Sequence, residues 1–359
     1  MSVPASWLRV LGGLAVFALI ALVGLAALGG LEFDEALDTF TLVMVVAIPA
    51  GVLAYAGIEY AQTRRVDSIT RQFDTRTLVL MPVAMALNIV LGTAVASALK
   101  IPIYLDSIGT VLVAALAGPL AGAATGFLTN VIWTYLAPPP FGSPYAVPFA
   151  VVAVVVGLLA GSFARWGWLR PRRHTSGRRL AVGGALSIGL LVVMVVLALR
   201  AWLAAADGSS LAPDSDETAF LILGWVAVAL MVGTAVGLVL LLLRGRDLAA
   251  AYILDAGVIT GVIAAFLAAP IAAGLFGGVT GSGADFVIAA FRQAGADLQQ
   301  AVLGQSLISD PVDKVITFFV AYLILGAMAT RTKARFPQGE YLLAIETDDD
   351  PATDPDASA

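Results

Sequence analysis

The chain has no cysteine, one histidine and few charges: only 13% of its 359 residues are Asp, Glu, Lys or Arg. Without cysteine there is no disulfide, no thiolate metal site and no thiol nucleophile. The histidine, His174, sits in an arginine-rich loop, where a solvated side chain outweighs a metal ligand. No metal-ligand cluster, nucleophile–base pair or cofactor motif occurs, so the sequence points away from an enzyme, a metal site or a bound cofactor. The glycine-rich FGGVTGSGADF (Phe276–Phe286) lacks the Lys-Ser/Thr of a phosphate loop, which argues against nucleotide binding. No nucleic-acid partner is expected either. The formal charge of −5 comes from the tail, where seven acids lie between Glu340 and Asp356; without them the balance is slightly positive.

What the chain does have is apolar sequence. It is 60% hydrophobic, with several runs beyond 18 residues, which makes it an all-α polytopic membrane protein. About ten spans are expected: Trp7–Leu28, Phe40–Ala61, Thr77–Leu99, Tyr104–Ala117, Pro119–Leu136, Tyr145–Phe163, Leu180–Leu203, Phe220–Leu243, Leu248–Phe276 and Val312–Met328. The first is too long for a signal-peptide core and has one basic residue, so it reads as an uncleaved anchor. Basic residues orient the spans. Arg9, the groups Arg64–Arg76, Arg165–Arg179 and Arg244–Arg246, and the group Arg331–Arg335 together hold 16 of the 20 basic residues on one side. That side is expected to be cytoplasmic, with both termini on it, in a multi-pass protein of the cell membrane.

The stretch Ile101–Leu136 organises the rest. Its apolar run from Ser107 to Leu136 is 30 residues long and breaks at Gly118-Pro119. One crossing would put the arginines after Phe163 on the wrong side, so two are required. Fourteen residues from Tyr104 rise only about 21 Å, short of a hydrocarbon core of about 30 Å. The outer end of this arm therefore belongs in protein or in a water-filled depression. Beyond the break, Gly118, Gly122, Gly126, Asn130 and Thr134 form a small or polar stripe suited to close helix packing.

Several residues are candidates for ligand contact, each with a plainer alternative. Asp106, followed by Ser107, reads equally as an N-cap and as an intramembrane carboxylate facing a ligand. Asn130 and Trp133 lie one turn apart; helix bridging and an interfacial belt are the alternatives. Thr280 falls in the glycine-rich connection, which suits a cavity wall. Arg292 and Gln305 belong to an otherwise apolar stretch, Asp285–Leu307, that reads as an external or re-entrant helix. In SDPVDK (Ser309–Lys314), Asp310 and Asp313 look like acids at a helix start, with direct ligand contact second. Asp313 and Lys314 are placed to pair with Arg292 or Asp106.

The elements LDSIGTVLVAALAGPLAGAATGFLTN, VVVGLLAGSFARWGW, LAAPIAAGLFGGVTGSG and SDPVDK resemble the substrate-binding (S) component of energy-coupling factor transporters, over about half of the chain. The resemblance implies a six-helix core in residues 76–179 and 248–336. An N-terminal hairpin with a basic loop (1–75) and an inserted hairpin (180–247) would be additions, followed by an acidic disordered tail (337–359). It also implies capture of a vitamin-like small molecule, a transmembrane scaffold subunit and two cytoplasmic ATPases as partners, and the lipid bilayer as surroundings. The family docks on its scaffold through small residues of the first core helix, which map here to Ala84 and Asn88, with Gly92 one turn on. Asn88 interrupts the family's usual Ala-x-x-x-Ala. Packing within the chain is the alternative use of that stripe. The rival functions are a self-sufficient secondary transporter, which needs an ionisable relay not evident around Glu59, Asp255 or Arg200, and a membrane sensor or assembly protein.

Overall fold

A computed structural model describes residues 5–26, 33–98, 103–172, 232–244, 247–293 and 295–343, with 189, 192, 196 and 229 besides. Every regular element among them is helical. An N-terminal hairpin, α1 (Ala5–Ala26) and α2 (Phe33–Thr63), precedes α3 (Thr75–Gly92), which runs on as a π-helical turn, Thr93–Ala98. Then come α4 (Ile108–Ala117), α5 (Pro119–Tyr135) and α6 (Ala150–Arg165). The remaining helices are α7 (Val232–Leu243), α8 (Ala249–Phe276), α9 (Ala284–Gln293) and α10 (Leu298–Ala327). Four helical stretches are long and apolar enough to cross a membrane: Asp38–Thr63, Thr75–Ala96, Val147–Arg165 and Ala249–Phe276. Their outward faces carry large apolar side chains such as Leu53, Val79, Val83 and Phe266, the surface that acyl chains match. The expected span Leu180–Leu203, most of Phe220–Leu243 and the tail beyond Leu343 lie outside the described residues.

The hairpin of α4 and α5 forms where expected. Gly118 has φ +123°, closed to most L-residues, and Pro119 opens α5 at its first position. The Gln72 carboxamide oxygen accepts from Leu120 N at 2.8 Å, meeting a backbone donor that the helix start leaves unpaired. The small-residue stripe seats α6: methyl groups added at Gly122 and Gly126 would lie 3.1 and 2.6 Å from the Gly157 and Ala153 carbonyl oxygens. Only ten residues of the first arm are helical, a rise of about 15 Å, so it is shorter than its apolar run suggests.

One end of the molecule gathers the arginines. Arg76 donates to the Arg335 carbonyl, Arg170 to the carbonyls of Glu340 and Tyr341, and Arg9 pairs with Glu59 at 3.0 Å. The first residues of the expected tail are folded here: Gln338 N donates to Leu116 O and its side-chain amide to Gly161 O, both at 2.8 Å. Leu342 is buried. An apolar residue within reach of a helix end overrides the polar composition that followed it.

Two expectations about the last span change. α10 starts at Asp297, whose side chain closes a capping box with Gln300, and runs through Pro311 without ending. Asp310, Asp313 and Lys314 therefore sit mid-helix and not at a helix start. The stretch Asp285–Leu307 divides into α9 and the first turns of α10.

The stripe Ala84, Asn88 and Gly92 faces inward. Asn88 is fully buried; its amide donates to Thr110 Oγ1 at 2.9 Å and Thr129 Oγ1 at 3.3 Å, and its oxygen accepts from Gly109 N at 2.7 Å. Ala84 lies against Gly109, and Gly92 against the Trp133 ring. The lipid-side face of α3 is instead Leu78, Val79, Val83 and Val90. Asn88→Ala is expected to lower stability by about 1–3 kcal/mol, because it strands the buried Gly109 N–H and the Thr110 hydroxyl. A thermal unfolding midpoint equal to wild type would contradict that role.

Candidate functional site

Away from the arginine-rich end, α4, α5, α6, α8 and α10 enclose a half-open cavity of about 1110 Å³ including its mouth. Loop residues Ser143, Tyr145, Thr280 and Ser282 stand around it. The glycine-rich connection reaches the wall because Asp285 ties it down, accepting from Thr280 N at 3.0 Å and Gly281 N at 2.8 Å. A further bond, from Gly283 N to Ala96 O, joins this loop to the π-helical turn.

The floor is built from charge. Asp313 is wholly buried, and its Oδ1 accepts from the backbone N–H groups of Tyr104 (3.1 Å) and Leu105 (2.7 Å). Its Oδ2 takes a proton of Lys314 Nζ at 2.5 Å. The same ammonium donates to Ser107 Oγ at 2.9 Å and lies 3.6 Å from Asp106 Oδ1. Leu105 has φ +52°, unusual for a residue with a branched side chain, so the Asp313 carboxylate holds the chain in a strained turn just before α4.

The candidates from the sequence separate clearly. Asp106, Ser107, Asn130, Trp133, Thr280, Gln305 and Asp310 all line the cavity. Asp313 lies behind the wall as a structural anion. Arg292 is not brought to the cavity; it is exposed, with Nη1 3.4 Å from Ala296 O, because α9 turns its charged face outward. Asp106 does not cap α4: Ser107 occupies that position, and no side-chain cap bond forms. Of the expected pairings, Lys314 meets Asp106 and not Arg292.

Trp133 is fixed by its indole N–H on Phe141 O at 2.7 Å, and Asn130 by its amide on Gly126 O at 2.9 Å. Two groups remain unmatched. Asp310, 7% exposed, makes no hydrogen bond among the described residues. Gln305, 3% exposed, has a buried Nε2 with no partner. Such groups are costly unless something completes them. Sequence reasoning left out Lys314 and Tyr104 as cavity residues; the one available signal was that Lys314 stands four residues after Asp310, on the same helical face. Among the described residues no cluster of metal-binding side chains occurs. Compared with protein-family models, with curated proteins and with solved structures, the chain matches none.

Proposed function

We propose that the chain is the substrate-binding membrane subunit of an energy-coupling-factor-type importer, capturing a vitamin-like small molecule for uptake driven by partner ATPases. The observation that carries this is the cavity itself, walled by Trp133, Tyr145 and Phe149, with the polar residues Asp106, Asn130, Gln305 and Asp310 in its lining. In this reading the arginine-rich end and both termini are cytoplasmic, the cavity faces outward, and six of about ten spans make the binding core. The described residues that fold at the arginine-rich end would also lie near the ATPase module.

Gentle purification followed by mass spectrometry of released small molecules is expected to give one compound in near-stoichiometric amount. Release of nothing, with no thermal shift across a vitamin panel, would reject the proposal. One observation favours a second reading, an ion-coupled transporter: Asp106, Asp310, Asp313 and Lys314 gather at one place in the helical bundle. Uptake into ATPase-free vesicles under an ion gradient would select it over the first.

A further inference from the structure

The unmatched groups of the cavity also say what charge its occupant carries, granting the capture reading above. Among the described residues Lys314 is the only Lys or Arg that lines the cavity. An ammonium has three protons to give, and Lys314 is ringed by three oxygens: Asp313 Oδ2, Ser107 Oγ and Asp106 Oδ1. Two of its protons are committed to hydrogen bonds, and the third faces the Asp106 carboxylate. Two carboxylates already face that one ammonium, and Asp310 adds a third acid to the same region with no hydrogen bond of its own. Three carboxyl groups against one ammonium give the site a formal excess of acid, and Asp310 is the one that makes no hydrogen bond among the described residues. An anionic ligand would meet three carboxyl groups and an ammonium already engaged by two of them, and a neutral apolar one would leave Asp310 desolvated. The aromatic residues add to this, since Trp133 and Tyr104 line the cavity and aromatic rings attract cations.

We propose that the cavity takes a cationic ligand, a protonated amine or amidinium carried on a flat ring, with its N–H groups on Asp310. The test uses the full-length protein in lipid nanodiscs and three probes of one shape: benzamidine, benzamide and benzoate, followed by thermal unfolding at neutral pH. Benzamidine is expected to stabilise the protein with an affinity about tenfold or more above benzamide, the ratio a charge-assisted contact supplies. Benzoate is expected to have no effect. Asp310→Asn should retain an unfolding transition and lose the preference for benzamidine. If that variant does not fold, the comparison on wild-type protein decides alone. Benzoate binding as well as benzamidine, a preference that survives Asp310→Asn, or no shift with any probe would overturn the inference. The molecule released on purification separates the two levels: a neutral or anionic compound overturns the charge assignment and leaves capture standing, whereas no compound and no shift remove both.

Discussion

Asp313→Ala is expected to be among the most damaging single substitutions in the chain, lowering stability by about 3–5 kcal/mol, the cost of breaking a buried charge pair on one side. Three donors lose their acceptor together: the Tyr104 and Leu105 backbone N–H groups and the Lys314 ammonium. The left-handed turn at Leu105 then has nothing to hold it, and the entrance to α4 loosens beside the cavity. Thermal unfolding in detergent should show a midpoint lower by roughly 5–15 °C. Asp313→Asn keeps an acceptor oxygen and should cost less. Adding Lys314→Met to Asp313→Ala should recover part of the loss, since a buried ammonium left with only the Asp106 carboxylate, 3.6 Å away, is removed as well. If Asp313→Ala unfolds at the wild-type temperature, the carboxylate does not anchor this turn.

The parts of the fold that could be read from the sequence are those governed by local composition. Apolar runs gave the helices, and the Gly118-Pro119 break gave the hairpin, because a positive φ followed by a fixed φ cannot continue a helix whatever surrounds it. The parts that could not be read depend on contacts across the bundle. Asp310-Pro311 has the local signature of a helix start, and only the groove that Gly261 opens on α8 lets the helix pass through. The sequence leaves Lys314 a choice of partners, Asp106 among them; its place among Asp106, Ser107 and Asp313 exists only once the turn before α4 has folded onto α10. Asn88 stood for a docking surface or for internal packing, and the two readings differ in nothing local. In the fold Asn88 packs inside the chain, because α3 turns this face to α4, where Gly109, whose missing side chain admits Ala84, lets the two helices close.

The same dependence makes Gly261→Ala the second large effect. A methyl there would lie 2.4 Å from Pro311 Cα, 2.5 Å from Pro311 N and 2.6 Å from Asp310 O. All three are backbone atoms, so no side chain can rotate away and α10 itself must move. Overpacking of this kind costs about 1–3 kcal/mol, and more where backbone meets backbone. The segment displaced is the one that presents Asp310 to the cavity, so loss of captured ligand should accompany loss of stability. Gly274→Ala on the same helix supplies the contrast. Nothing lies within 4 Å of its added methyl, and exchanging glycine for alanine inside a helix is worth up to about 1 kcal/mol in favour of the variant. Unfolding midpoints and the amount of co-purified compound, measured on both variants, separate local helix propensity from the fit between helices. Equal midpoints for the two would mean that α8 and α10 do not meet backbone to backbone at Pro311, and that Asp310 is held in place by something other than this contact.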